Sequence, residues 1–137
     1  MVKQFEIILH PKPRGFHLIT DEICRQLPTL PKTGLINIFC KHASCGLTVN
    51  ENCDPDVRED METIFNQLVP ENHPNYSHTL EGADDMPAHA KSVLSGVSLT
   101  IPITEGRLNI GTWQGIYFCE YRNNGGSRKL VVTIIGE

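Results

Sequence analysis

No C-x-x-C pair, no long apolar run and no excess of positive charge occur in this 137-residue chain, and each absence closes a class of function. Its five cysteines (Cys24, Cys40, Cys45, Cys53, Cys119) are an odd number, so a disulfide framework is not expected, and reduced thiols fit a cytoplasmic address. The apolar stretches are short and broken, as in Leu35-Ile36-Asn37-Ile38-Phe39. They fall far below the roughly 20 residues that cross a bilayer, so no membrane partner is expected. Met1-Val2-Lys3-Gln4-Phe5-Glu6 lacks the basic stretch, apolar run and cleavage site of a secretory signal. Twelve lysines and arginines against 16 aspartates and glutamates give a formal charge of −4, which argues against a nucleic-acid-binding surface. What remains is an ordinary globule, 39% hydrophobic and 20% charged, without repeat, low-complexity tract or linker. One domain over 1–137 is the expectation.

Periodicity assigns the elements. Phe5, Ile7 and Leu9 alternate along a strand from Val2 to Leu9, closed by Pro11 and Pro13. Ile19, Ile23 and Leu27 recur every four residues, with Thr20 as a candidate cap and Pro28 as a stop, which predicts a short helix. Leu35–Lys41 and 47–50 read as strands. The clearest helix begins at Asp54-Pro55, carries Val57, Met61, Ile64, Phe65 and Leu68 on one stripe, and ends at Pro70. Another is expected from Asp85, with Pro87 near its start and Gly96 at its end. The last 40 residues read as an antiparallel meander broken at Glu105-Gly106, Gly111-Thr112 and Asn123-Asn124-Gly125-Gly126. Strands in a run with helices elsewhere predict an α+β fold of mostly antiparallel strands with two or three short helices.

Charge is uneven along the chain. Residues 51–85 hold ten acids and one base, Arg58, whereas 86–137 hold five bases and three acids. Solvated faces explain most such blocks, but an acidic and a basic block are also what a metal–diphosphate site needs. The segment 70–89 concentrates His73, His78, Glu81, Asp84, Asp85 and His89, and Asp85 and His89 share one helical face. His42 ends the 35–41 strand. Histidines with carboxylates suit zinc, whereas Glu81, Asp84 and Asp85 suit magnesium, so a divalent metal is expected and its identity stays open. Gly111-Thr112-Trp113-Gln114-Gly115 is either a bulge around a core tryptophan or a close-approach site, with Trp113 stacking on a flat ring and Gln114 reading its edge. Lys91, Arg107, Arg122 and Arg128 are candidate phosphate donors, although surface ion pairs are the commoner fate of such groups.

Three blocks together resemble the YjbQ-like family over essentially the whole chain. They are His42-Ala43-Ser44-Cys45-Gly46-Leu47-Thr48-Val49-Asn50-Glu51-Asn52 with Asp54-Pro55-Asp56-Val57-Arg58, then Tyr76 to Ser92, then Gly106-Arg107 and Gly111 to Ile116 with the closing Arg128 to Glu137. The family is described as a secondary thiamine-phosphate synthase. The resemblance implies a β-sandwich-like core, a homotrimer and a divalent metal near His42, His78 and His89. It also implies a phosphorylated small-molecule substrate: hydroxymethylpyrimidine diphosphate would be joined to thiazole phosphate with release of pyrophosphate. On that reading Glu81 and Asp85 join the metal ligands, and His42, His78, His89 and Asp84 carry the chemistry. Lys91, Arg107, Trp113, Gln114 and Arg128 then hold substrate. Rival expectations are a metal-dependent hydrolase and a non-catalytic trimeric binding protein. The family usually has Thr-Ser-Ala where this chain has Ala43-Ser44-Cys45, which removes a hydroxyl beside His42.

Overall fold

In the computed structural model, which describes residues 1–137, the chain runs β1 (Val2–Leu9), β2 (Gly15–Leu18), α1 (Thr20–Cys24), β3 (Thr33–Cys40), β4 (Cys45–Glu51), α2 (Pro55–Leu68), α3 (Asp85–Ser95), β5 (Ser98–Thr104), β6 (Arg107–Leu108), β7 (Gln114–Glu120) and β8 (Arg128–Gly136). All strand pairs are antiparallel, in a five-stranded sheet ordered β1-β8-β3-β5-β6 and a three-stranded sheet ordered β2-β7-β4. Alternation selects the faces that meet. Ile7, Leu9, Ile36, Ile38, Ile101, Ile103, Leu130, Val132 and Ile134 of the first sheet pack on Leu47, Ile116 and Phe118 of the second, with Ile19 and Ile23 plugging one end. Each of these side chains contributes about 1.5–3 kcal/mol on leaving water. The expected sandwich-like α+β architecture is therefore the observed one. No helix is long and apolar enough to cross a membrane.

Strand β7 does not alternate: Gly115 to Glu120 are buried without exception, so it needs cover on both sides. Ile116 and Phe118 face the sandwich core, while Tyr117, Cys119 and the following Tyr121 join Phe16 and Ala88 in a second apolar cluster. Helices α2 and α3 supply the outer cover, with Met61 and Phe65 packed on that cluster and Phe65 meeting Phe16 edge-on at 5.1 Å. The molecule is thus three layers deep.

This placement corrects the expected meander. β5 and β6 do form a hairpin around Glu105 and Gly106, both in the left-handed region, but β7 crosses to the other sheet and β8 returns between β1 and β3. Double-sided burial puts β7 in the middle layer, where only the smaller sheet offers a place. Asp54 caps α2 as its sequence predicts, its side chain accepting from the Asp56 N–H at 2.9 Å. Thr20 does not cap α1; its hydroxyl accepts from the Ile116 N–H at 2.9 Å and ties α1 to β7.

The layer that carries the candidate site is set by one close approach. A Cβ on Gly46 would stand 2.0 Å from Ser95 Oγ and 2.8 Å from the Gly96 carbonyl, so β4 meets the end of α3 only because position 46 has no side chain. Gly46→Ala should cost about 1–3 kcal/mol in urea denaturation, the usual range for overpacking. An unchanged midpoint would show that α3 shifts freely.

Candidate functional site

The start of α3 organises the site. Asp85 and His89 stand one helical turn apart, and the loop before the helix, bent at Gly82 with φ of 106°, returns His78 to the same spot. The Asp85 side chain is 3% exposed, yet the two imidazoles reach solvent at 43% and 36%. His78 Nε2 lies 2.6 Å and His89 Nε2 3.1 Å from the same oxygen, Asp85 Oδ2. The ring centroids are 5.4 Å apart. His89 Nδ1 donates to the Ala43 carbonyl at 2.8 Å, a geometry that places the proton there and leaves Nε2 with its lone pair in the neutral ring. A bare nitrogen facing a carboxylate oxygen is repulsive unless a proton or a cation lies with them. The arrangement therefore favours positive charge, a shared proton or a cation, between the three groups.

Beneath the cluster, Arg122 holds the carboxylates. Its Nε donates to Asp84 Oδ2 at 2.8 Å, Nη1 to Asp85 Oδ1, and Nη2 to the Glu81 carbonyl at 3.1 Å. Asp84 also accepts from the Asn123 N–H at 2.9 Å, so it leaves the helix end uncapped. Burial pushes both carboxyls up, but the bonds they accept and the Arg122 charge outweigh it. Asp85, bonded by His78, and Asp84, bonded by Asn123 and Arg122, are held below the ordinary carboxylate value. The guanidinium is raised in turn by the Asp84 bond. In the sequence Arg122 looked like a phosphate donor at a turn. Only the register of β7 against the α3 layer reveals its service to Asp84 and Asp85.

The other expected residues are distributed. His42 is adjacent in the chain to the Ala43 carbonyl but stands outside the triad, its Nε2 accepting from the Lys129 N–H at 2.8 Å. Burial and the Arg128 charge hold its ring below an ordinary imidazole, in keeping with an acceptor nitrogen. Glu81 meets Arg122 through its carbonyl while its side chain is exposed, so the three carboxylates do not converge as a magnesium cage. Lys91 is 1% exposed and donates to Asn66 Oδ1 at 2.6 Å. Burial and the Arg14 charge lower its ammonium against the pull of Glu62, Glu71 and Asp84.

Arg128 is committed to Glu120 by two bonds, at 2.9 and 2.6 Å, in the interior. Gln114 closes a turn by accepting from the Gly111 N–H at 2.8 Å. Trp113 is 65% exposed, which removes the core-tryptophan alternative for this stretch, and Asn52 grips the flanking carbonyls of Thr112 and Gln114. Arg107 lines a separate hollow with Leu27 and Ile110. Beside His78 itself lies a hollow of about 120 Å³ walled by His73, Tyr76, Thr79 and Met86. A larger cavity of about 220 Å³ sits at the other end of α3 against Phe16, Phe65 and Tyr117, and no imidazole or carboxylate lines it. Of the cluster only His78 lines the small hollow; Asp85 and His89 lie outside it.

A β-sandwich backed by a helical layer, with an imidazole–carboxylate cluster at a helix start, is the class these features define. Residues 4–137 match the family described as UPF0047 protein YjbQ-like, and the chain belongs to that family. UPF0047 protein YjbQ of Salmonella typhimurium is 55% identical over 136 residues, which is 98% of this chain and 98% of that relative. A YbjQ-like protein of unknown function from Sulfolobus solfataricus has a similar structure, with a TM-score of 0.86 and 26% identity, covering 100% of this chain and 99% of its own. An uncharacterized YjbQ/UPF0047 protein from Clostridium acetobutylicum gives a TM-score of 0.81 at 35% identity, over 96% of this chain and 99% of its own.

Proposed function

We propose that this chain is a metal-dependent enzyme for a phosphorylated small molecule, and that it joins hydroxymethylpyrimidine diphosphate to thiazole phosphate with release of pyrophosphate. The metal half rests on one observation: ligand atoms of His78, Asp85 and His89 all lie within 4.8 Å of one another, with solvent on one side. Two imidazole nitrogens and one carboxylate oxygen fit zinc better than magnesium, which prefers oxygen ligands and water. The choice of reaction rests on the resemblance of the sequence blocks.

His78 and His89 would hold the ion through Nε2 and Asp85 through Oδ2, each losing or keeping protons as the ion demands. When bound, the ion supplies charge neutralisation for a departing diphosphate. Ala43 keeps the His89 tautomer, and Arg122 keeps Asp85 ionised and aimed. Protein purified without chelator or affinity tag should carry about one zinc per chain. His78→Ala and His89→Ala should each lose both the zinc and the synthesis of thiamine phosphate. Protein without metal, and without turnover when zinc or magnesium is added, would end the reading.

The exposure of both imidazoles favours a hydrolase as second reading, because water reaches the ligand positions. Pyrophosphate or phosphate released at full rate without any thiazole partner selects it.

The homotrimer belongs to the same proposal. Ile8, Leu35, Phe39 and Ile135 are exposed at 59, 48, 44 and 53% on the outer face of the five-stranded sheet, a patch that association would cover. Trp113 and Arg107, exposed in one chain, are then available to a neighbour's site. Five free cysteines fit the cytoplasmic address.

A further inference from the structure

Cys40 is the last residue of β3 and Cys45 the first of β4, so the two thiols mark where the chain leaves one sheet and enters the other. Their sulfurs lie 3.0 Å apart, and both residues are buried at 1% and 0% exposure. A disulfide needs about 2.05 Å, so closure requires the two sulfurs to approach by about 1 Å. The four residues between them are half-buried or exposed, so the connection that joins the two thiols runs along the surface while the sulfurs lie at the crossing between the two sheets, in the apolar core. Cys24 and Cys53 are exposed with no sulfur partner, and Cys119 is buried.

The geometry points to Cys40 and Cys45 as a reversible dithiol–disulfide site, closed by a peroxide and reopened by a thiol reductant. In the first step one thiolate sulfur attacks a peroxide oxygen, the O–O bond breaks, and a sulfenic acid and water result. The second sulfur then displaces that oxygen: the S–S bond forms, the S–O bond breaks, and a second water leaves. Two thiols and one hydrogen peroxide thus give one disulfide and two waters. The bond would tie the sheets together at this corner and fix both ends of the connection whose Ala43 carbonyl holds His89 and whose Ser44 carbonyl accepts from Arg128. It does not depend on what the imidazole cluster catalyses.

The test uses the folded Cys24→Ser/Cys53→Ser protein, which retains Cys40, Cys45 and Cys119. After hydrogen peroxide, denaturation and alkylation, two of the three thiols should be blocked and the intact mass should fall by two hydrogens. Peptide mapping should give a Cys40–Cys45 link that dithiothreitol removes. Adding Cys45→Ala should leave both remaining thiols free of any link. Three alkylatable thiols after peroxide, a gain of oxygen instead of a loss of hydrogen, or a link to Cys119 would each overturn the assignment.

Discussion

A Glu120→Ala protein should lose about 3–5 kcal/mol of stability, the largest effect expected of any single substitution outside the apolar core. Glu120 is 0% exposed and Arg128 5%, and the two share parallel bonds of 2.9 and 2.6 Å. Removing the carboxylate leaves a guanidinium in the interior with only the Ser44 carbonyl, at 3.4 Å. The cost is the uncompensated buried charge, not the worth of the pair, since taking two ions out of water roughly cancels their attraction. For a chain of this size the melting temperature should fall by roughly 10–20 °C. Glu120→Leu combined with Arg128→Met should recover most of that loss, because both charges then leave together. Urea denaturation of the three variants decides the matter. A single-variant loss below about 1 kcal/mol would mean that water reaches Arg128 and that the pair behaves like a surface one.

Asp85→Asn should spare the fold and empty the site. The amide keeps the shape and can still accept from Arg122, and Asp84 retains its own bonds to Arg122 and Asn123. The charge between the two imidazoles disappears, and an amide is a poor ligand for zinc. Ion affinity measured by competition with a chelating dye should fall by about 100-fold or more, and turnover with it. Acid unfolding provides an independent check. Asp84 and Asp85 lie below their reference value of 3.8 in the folded state, so the unfolded chain binds more protons as pH drops. Their contribution is complete above that reference value and is lost as pH falls through the depressed folded values. Asp85→Asn should therefore flatten the acid limb of the stability curve. An acid limb unchanged from the parent, or undiminished zinc binding, would remove Asp85 from the centre of the site.

Much of this could be read along the chain, and the omissions have physical causes. Strand β1 announces itself by alternation and helix α2 by the Asp54-Pro55 start, but α2 turns only a half-buried face inward through Val57, Met61 and Phe65, and Ile64 and Leu68 of the expected stripe are exposed. The i,i+4 spacing of Asp85 and His89 made half of the cluster legible, and His78 followed from the density of ligating groups near Gly82. Strand β2 leaves no sequence signal because Gly15–Leu18 is too short to show a period and lies just beyond two prolines. The meander expected of the last 40 residues fails at β7 because a strand covered on both sides has no alternation to reveal its neighbours. Arg122 and Arg128 look alike as isolated cations near turns. Only tertiary pairing assigns one to the site and the other to the interior, and no local pattern encodes that difference.

The burial of Asp85 beneath two solvent-facing imidazoles also has a kinetic consequence. For the ion proposed above, nothing would have to swing aside before it meets its ligands, since Arg122 already clamps the carboxylate and the Ala43 carbonyl already orients His89. On that proposal, exchange would be paced by how fast the ion sheds its own hydration water, with no timer set by the protein on entry or departure.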